Sequence, residues 1–199
     1  MTALPASCGM CYLCQRPMMV VDYDTGWPRL FETLKTSIWS AVADIAISVE
    51  HVGSTSIPGL AAKPVIDIDV VVAPRDIPEG IKRLTGLGYG HRGDLGIPLR
   101  EAFRRPSDSV AHHLYLCPSN SPALANHLAL RNYLLANADA ARAYGELKKR
   151  LAVEHAGDMD AYVEAKTDFI VSVLRQVGFA ESRLSDIEAM NRKGSAGAA

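Results

Sequence analysis

The feature that most constrains the fold of this chain is an apolar run from Val65 to Ala73, which reads VIDIDVVVA and contains two aspartates. Its β-branched residues predict a strand, and Pro74 ends it because proline cannot donate to a strand ladder. Side chains two residues apart in a strand share a face, so Asp67 and Asp69 lie roughly 7 Å apart along it. The opposite face, directed to a core, is formed by Ile66, Ile68, Val70 and Val72. The chain must therefore bury a strand that displays two carboxylates.

Paired carboxylates of this kind favour a divalent cation. Two like charges held close together cost stability unless a cation lies between them. Mg²⁺ prefers oxygen ligands and keeps several waters, so one or two carboxylates plus substrate phosphates form a typical set. The alternative for an isolated Asp-x-Asp is a strand end at which both side chains are simply solvated. The pattern indicates Mg²⁺ bound by Asp67 and Asp69, and with it phosphate chemistry.

The loop before this strand reads GSTS and begins at Gly53. Glycine permits unusual backbone dihedrals and close approach, and the next three residues, Ser54, Thr55 and Ser56, add hydroxyl groups to backbone N–H groups. That combination suits the phosphates of a nucleotide, although a helix-capping turn without a ligand is the alternative. A P-loop is excluded, because the lysine that follows precedes a proline rather than Ser or Thr.

The rest of the chain predicts helices around a small sheet. Apolar residues four apart predict a helix over Trp27–Val42, and a second helix is expected over Ile77–Leu87. Further strands are expected in the segments AISVEHV, GYGHR, PLREAFRR and HHLYLC. From Ser121, a predicted N-cap, the chain reads as helical to Val177. Further helix starts are expected at Asp139 and Asp158, with a C-cap at Gly178.

These elements predict one α/β (α+β) domain over residues 20–178, with a sheet-bearing part to 118 and a helical part over 119–178. Residues 179–199 have low complexity and no clear apolar period, which predicts a disordered tail. Residues 1–19 are expected to form a flexible leader that contains cysteines. The apolar faces of the helices suffice for a monomer and do not exclude a dimer.

The leader contains Cys8, Cys11 and Cys14, whose spacing is that of zinc or iron–sulfur ligands. No second Cys-x-x-Cys and no His pair follows at finger-like spacing. The favoured interpretation is therefore a set of reduced thiols without zinc or an Fe–S cluster, as in a cytosolic protein.

The net charge of −1 over 199 residues excludes a global basic field, so no polymeric nucleic-acid partner is implied. No apolar run approaches the roughly 20 residues that cross a bilayer, and the first residues lack the pattern of a secretory signal. These features predict a cytoplasmic protein without a membrane partner.

A Gly-Ser turn followed by a strand with two aspartates resembles the nucleotidyltransferase superfamily. In that superfamily the carboxylates hold magnesium and the turn holds the triphosphate. At family level the chain resembles GrpB, a group with this fold, from roughly Val20 to Gly178. The resemblance rests on EHVGSTSIPGLAAKPVIDIDVVV, GYGHRGDLGIPLREAF, HHLYLC and LRNYLLANADAARAYGELKKRLA, in that order. It implies a mixed sheet flanked by helices, with a C-terminal helical layer that closes the nucleotide side.

The family is also similar to a domain fused to dephospho-CoA kinase in some bacteria. This chain has no kinase P-loop, so that activity is not implied.

Many nucleotidyltransferases add a third carboxylate from a later strand, and this chain departs from them there. The corresponding strand, HHLYLC, presents His113 and Tyr115 and no acid. Two aspartates suffice for one Mg²⁺, but a second ion is then less secure. His113 is a candidate ligand or general base, with a structural histidine as the alternative. Glu101 and Asp94 are further candidates for the missing acid.

Basic side chains are needed to neutralise a triphosphate. At positions that match the family, the candidates are Lys63, Arg100, Arg131, Lys148 and Lys166. For Lys148 the default alternative is an ordinary solvated helix face, since charged residues surround it.

The sequence thus predicts transfer of a nucleoside monophosphate from an NTP to an unknown small-molecule acceptor. The alternative is a non-catalytic nucleotide-binding or scaffold module of the same fold.

Overall fold

In the computed structural model, the described residues 19–193 alternate helices with the strands of one sheet. The helices are α1 (Trp27–Val42), α2 (Ile77–Gly86), α3 (Pro122–Ala136), α4 (Ala138–Glu154), α5 (Met159–Ala165), α6 (Thr167–Gln176) and α7 (Glu181–Lys193). The strands are β1 (Ala46–Val52), β2 (Ile66–Val72), β3 (Gly90–His91), β4 (Glu101–Arg104) and β5 (His112–Pro118). Single 3₁₀ turns occur at Ser54–Ser56 and Pro74–Asp76.

The sheet is mixed and has the strand order β1-β2-β5-β4-β3. Strand β2 pairs antiparallel with β1 and parallel with β5, and β4 pairs antiparallel with β5 and β3. The two aspartates therefore lie on an inner strand with a neighbour on each side. This arrangement confirms the expected α/β class and the mixed sheet flanked by helices.

One face of β2 packs on α1 and α2. Ile66, Ile68 and Val70 are at most 1% exposed and belong to the same apolar cluster as Ile38 of α1 and Leu84 of α2. The predicted division of the strand is confirmed here, because Val72 belongs to the same cluster as these three residues. The carboxylates are left on the other face.

The other face of the sheet is covered by the C-terminal helices. Val71 and Cys117 pack on Leu124 of α3. The segment after the 3₁₀ turn also packs on this layer, where Leu60 meets Leu134 of α3 and Tyr144 of α4. Helices α3 to α6 thus close the side of the sheet on which Asp67 and Asp69 project.

Helix α7 corrects the prediction of a disordered tail over residues 179–199, which is wrong for Glu181–Lys193. Leu184 and Ile187 are buried against Val171 and Leu174 of α6. In the sequence, this helix is indicated only by a narrow stripe of apolar residues three positions apart. Polar residues lie between these apolar residues. Packing on α6 therefore stabilises a segment with weak amphipathic character.

The helix caps agree with the sequence at two of three predicted starts. Ser121 Oγ accepts a hydrogen bond from the Leu124 amide at 3.3 Å, and Asp158 Oδ1 accepts one from the Ala161 amide at 2.9 Å. Asp139 is not a cap, because α4 begins one residue earlier and Asn137 holds the N-cap position. Asp139 lies in the first turn, where its charge still complements the helix dipole.

The expectation that Cys8, Cys11 and Cys14 are reduced thiols without a metal concerns residues that lie outside the described part of the chain. Cys117 is a buried free thiol in β5. Within residues 19–193, no helix combines the length and the apolarity needed to cross a bilayer.

Candidate functional site

Asp67 and Asp69 lie at the centre of the sheet face beneath the C-terminal helices. The Asp69 side chain is fully buried, whereas that of Asp67 is 29% exposed. Parallel pairing places His113 of β5 opposite Asp67 and Tyr115 opposite Asp69. The predicted neighbourhood of the aspartates is therefore confirmed, with a histidine and a tyrosine rather than a third acid beside them.

Each aspartate accepts a hydrogen bond from one histidine. His113 Nδ1 lies 2.8 Å from Asp67 Oδ1, and His127 Nδ1 of α3 lies 2.7 Å from Asp69 Oδ2. The sequence analysis identified His113 but missed His127, which stands alone in an apolar helical run. Only the packing of α3 over β2 brings it to the site.

These bonds favour the protonated form of both imidazoles. The bond to Asp67 raises the pKa of His113, although partial burial opposes it. Burial alone would lower the pKa of His127, but its bond to Asp69 and the charges of Asp69 and Asp67 outweigh that effect and raise it. The carboxylates thereby stabilise the charged form of each imidazole relative to that of a free histidine.

Asp69 Oδ1 is buried and has no hydrogen-bond partner among the described residues. A buried carboxylate oxygen without a donor is costly, and an oxygen-seeking cation would remove that cost. No group of three or more His, Cys, Asp or Glu side chains in residues 19–193 is arranged to hold a metal. The two carboxylates, with Asp69 Oδ1 unpaired among the described residues, fit a Mg²⁺ that completes its shell with water and phosphate oxygens.

The turn at Gly53 fits tightly against Asp67. Gly53 has φ +68°, in the left-handed region that favours glycine, and a Cβ at this position would overlap the Asp67 carboxylate. Ser54 Oγ accepts a hydrogen bond from Lys148 Nζ at 2.7 Å. The other two hydroxyls are used locally: Ser56 Oγ donates to Gly53 O at 2.6 Å, and Thr55 Oγ1 lies 3.0 Å from His51 Nε2.

Three lysines surround a cavity of about 250 Å³ that is also lined by Ser54 and Asp67. Within residues 19–193, no carboxylate lies at ion-pair distance from Lys63, Lys148 or Lys166. Lys63 Nζ and Lys166 Nζ each lie 4.5 Å from the centre of the Tyr162 ring. A bound anion would stabilise the charged form of lysines that lack a carboxylate partner.

Lys148 is 3% exposed, so the default expectation of a solvated face is wrong for this residue. Its neighbours Lys149 and Arg150 form that face instead, in ion pairs with Glu146 and Glu154. Burial and the nearby charge of Lys166 lower the pKa of Lys148 to about 7. Burial and the nearby charge of Lys63 likewise lower the pKa of Lys166 to about 8.

A second cavity of about 260 Å³ adjoins the first and shares Ser54, Asp67 and Lys166 with it. Gly53, Tyr144 and His127 also line this cavity. Asp67 thus faces a continuous region that has lysines and the Gly53 turn at one end and α3 at the other, while Asp69 lies buried behind it.

The two candidate arginines lie outside the cavity that the three lysines share. Arg131 lines the second cavity, but it is ion-paired with Glu50 at 2.8 Å and donates to His51 O at 3.0 Å. Arg100 stacks on Tyr115, with 4.4 Å between the guanidinium carbon and the ring centre, and faces a further cavity.

Neither candidate for a third acid reaches the aspartates. Glu101 Oε2 is bonded to His91 Nε2 at 2.6 Å, and Asp94 Oδ1 accepts from the Gly96 amide at 2.8 Å. Neither residue lines the cavities beside Asp67.

This chain matches a protein-family model, related proteins and solved structures. The model of the GrpB protein family matches residues 17–176. UPF0157 protein YqkA of Bacillus subtilis is 31% identical over 157 residues, which is 78% of this chain but only 46% of that protein. The chain therefore spans about half the length of that relative.

Among solved structures, the conserved protein GrpB from Enterococcus faecalis has a TM-score of 0.71 and 32% identity. The match covers 84% of this chain and 98% of that one. A structure of Cid1, described as an RNA terminal uridylyl transferase, is a distant match with a TM-score of 0.46 and 19% identity. It covers 67% of this chain and 43% of that one, and it carries no inference about activity.

Proposed function

The chain belongs to the GrpB family, and we propose that it is a magnesium-dependent nucleotidyltransferase. In this proposal it transfers a nucleoside monophosphate from an NTP to a small-molecule acceptor in the cytoplasm, with release of pyrophosphate. The relatives named above fix neither the nucleotide nor the acceptor.

One observation carries the proposal: Asp67 and three lysines that have no carboxylate partner within residues 19–193 line the same cavity, together with Ser54 of the Gly53 turn. Asp67 and Lys148 both line that cavity, and Ser54 of the turn is bonded to Lys148. A structural role alone does not explain why a protein buries Lys148 without a carboxylate partner. A bound triphosphate would supply the missing negative charge.

The lysines are placed to bind the β- and γ-phosphates. Lys63, Lys148 and Lys166 point into the cavity at the end away from α3, and the Ser54 hydroxyl and the backbone of its turn complete that wall. Arg131 is a weaker contributor in this proposal, because Glu50 already neutralises much of its charge. The α-phosphate would then lie nearest the aspartates.

Mg²⁺ held by Asp67 and Asp69 would neutralise and orient the phosphates. An acceptor oxygen attacks the α-phosphorus, a new P–O bond forms, and the bond to the β-phosphate oxygen breaks so that pyrophosphate leaves. A hydroxyl acceptor also gives up a proton. His113 and His127 are the candidate bases, since each donates through Nδ1 to an aspartate and thereby leaves Nε2 to accept that proton in the neutral form.

The second candidate function is a nucleotide-binding module without turnover. It is favoured by the position next to Asp67 on β5, where His113 stands instead of a third carboxylate. Such a module would keep the phosphate-binding lysines and the single metal site but would not activate an attacking group.

Pyrophosphate release separates the two functions. Wild-type protein and Asp67→Asn are incubated with each NTP, Mg²⁺ and a mixture of small metabolites, with Asp108→Asn as the control. Asp108 is exposed and lines none of the cavities described above. If the protein is an enzyme, the wild type and the control release pyrophosphate and Asp67→Asn does not. Equal background release from all three proteins, despite nucleotide binding, would support the module instead.

A further inference from the structure

A third cavity, of about 450 Å³, lies behind His127. Its walls are the segment before β4, the first turns of α3, and the facing sides of α6 and α7. It shares His127, Leu130 and Ile170 with the cavity that holds Asp67. The two spaces therefore meet at the histidine that is bonded to Asp69.

Several residues that line this cavity contain buried polar atoms without a hydrogen-bond partner. Among the described residues, four buried side-chain nitrogen or oxygen atoms lack a hydrogen-bond partner: Asp69 Oδ1, Arg100 Nε, Asn126 Oδ1 and Arg183 Nε. Three of these atoms belong to residues that line the cavity, and the fourth belongs to the aspartate bonded to His127. Native proteins rarely leave such atoms unpaired, so their concentration around one space indicates a polar ligand.

The charge around the cavity favours an anion. Arg100 and Arg183 stack on Tyr115 and Phe179 and have no carboxylate within ion-pair distance in residues 19–193. The N-terminal turn of α3, which also lines the cavity, adds the positive end of a helix dipole. Asp186 is the one acidic side chain on the wall, and it is exposed.

The remaining wall is apolar. Five apolar side chains face the same space: Leu130, Ile170, Leu174, Ile187 and Met190. Charged donors on one side and aliphatic side chains on the other match a molecule with an anionic group on an apolar or aromatic body.

We propose that this third cavity binds a small organic anion, a carboxylate or a phosphate monoester with an apolar or aromatic body. The next step rests on the proposed function: we infer that this anion is the acceptor. Arg100 and Arg183 bind its anionic end, and His127 lies where this cavity meets the nucleotide site. Arg100, expected from the sequence to bind nucleotide phosphates, is thereby assigned to the acceptor.

Calorimetry with 1-naphthoate and 1-naphthyl phosphate as probes tests the site, and the neutral 1-naphthalenemethanol serves as the reference ligand. The wild type is expected to bind one or both anions more tightly than the alcohol. Arg100→Met and Arg183→Met should each weaken anion binding about tenfold, as expected for the loss of a hydrogen bond to a charged group. Arg150→Met is the matched control, since Arg150 is 67% exposed on α4 and lines none of these cavities.

Stability separates a ligand-binding role from a structural one. Arg183 also donates to Pro122 O at 2.7 Å, so Arg183→Met can weaken the docking of α7. Arg100 makes no such hydrogen bond to another element among the described residues, so Arg100→Met should change the unfolding midpoint less while it weakens the binding of the anion. A lowered midpoint with unchanged anion binding would overturn the assignment of Arg100.

Titration with an NTP and Mg²⁺ in the presence of the probe separates this inference from the proposed function. Simultaneous binding supports two adjoining sites. Displacement of the probe by the nucleotide, or no preference for the anions over the alcohol, overturns the third cavity as an acceptor site. If the anion binds but no NTP does, the proposed function and the acceptor role fail while the anion site stands.

Discussion

At the residue scale, the close fit between Gly53 and Asp67 yields the first prediction. Gly53→Ala combines an unfavourable positive φ with a Cβ that overlaps the Asp67 carboxylate. Gly59→Ala is the matched control, because Gly59 has φ +79° and open space around its Cα. Urea unfolding should show a loss of about 1 kcal/mol for the control and clearly more for Gly53→Ala.

Nucleotide titration of the same pair completes that experiment. Only Gly53→Ala should lose affinity for an NTP with Mg²⁺, since only its new methyl group moves a carboxylate of the site. Equal costs and equal affinities for the two variants would contradict the proposed contact between the turn and the metal site.

Lys148 yields the second prediction, which concerns protons. Its lowered pKa of about 7 leaves the free side chain mostly neutral between that value and the ordinary lysine value of 10.5. A bound triphosphate favours the charged form, so nucleotide binding in this interval should take up protons. Calorimetry in buffers with different ionisation enthalpies measures that uptake, and Lys148→Met should reduce it. Proton release or no exchange in the wild type would refute the placement of the phosphates.

The same residue links pH to stability. Between pH 7 and 10.5 the unfolded chain binds a proton at Lys148 that the folded chain has lost. This residue therefore makes a contribution to the free energy of unfolding that increases with pH across the interval. Lys148→Met should be more stable than the wild type below this interval, where the folded wild type must bury a charge. Lys149→Met, at the partly exposed neighbour, is the comparison.

The sequence indicated part of the site at this scale, but not its partners. Asp67, Asp69 and Gly53 could be identified because strand periodicity and turn chemistry are local properties. His127 could not, because its bond to Asp69 depends on how α3 crosses the sheet. The inward direction of Lys148 was hidden for a related reason, since the flanking residues Lys149 and Arg150 do lie on a charged surface.

At the element scale, α7 provides the third prediction. Leu184 is 1% exposed against α6, so Leu184→Ala should lower the free energy of unfolding by about 2 to 4 kcal/mol. Ser185→Ala is the control on the same helix, because Ser185 is exposed. A similarly small effect of both changes in urea unfolding would mean that α7 does not pack on α6 in solution.

Most elements could be predicted from local pattern, and α7 shows where that approach fails. Helix α1 has apolar residues at every fourth position, and β2 is nearly all β-branched, so each has a strong signal of its own. The residues Leu184, Ile187 and Met190 form a stripe with few members among many polar neighbours. Its helical state depends on the apolar surface that α6 presents, which a sequence window does not contain.

At the scale of the whole molecule, the sheet and the helical layer are joined through the site itself. Lys148 on α4 is bonded to Ser54, His127 on α3 to Asp69, and Arg131 on α3 to Glu50 of β1. The strand order, with β2 and β5 parallel and adjacent, follows from chain crossovers that local patterns do not encode. The predicted sheet-bearing and helical parts are therefore tied together by polar contacts as well as by apolar packing.

This coupling gives the fourth prediction. Trp27 and Trp39 both lie in α1, so their fluorescence reports the sheet-bearing part, whereas far-ultraviolet circular dichroism is dominated by all the helices. Urea unfolding should give the same midpoint by both probes. Two separate midpoints would contradict a single cooperative unit.

The central claim is that Asp67 and Asp69, with Mg²⁺, bind the phosphates of a nucleoside triphosphate. Its most direct test is calorimetric titration of an NTP into the wild type, Asp67→Asn and Asp108→Asn, with Mg²⁺ and with EDTA. The account predicts that the wild type and Asp108→Asn bind the NTP only when Mg²⁺ is present. Asp67→Asn should weaken this binding about tenfold or more, the loss expected for one charged ligand. Equal affinity in all three proteins, or affinity that EDTA does not change, would contradict it.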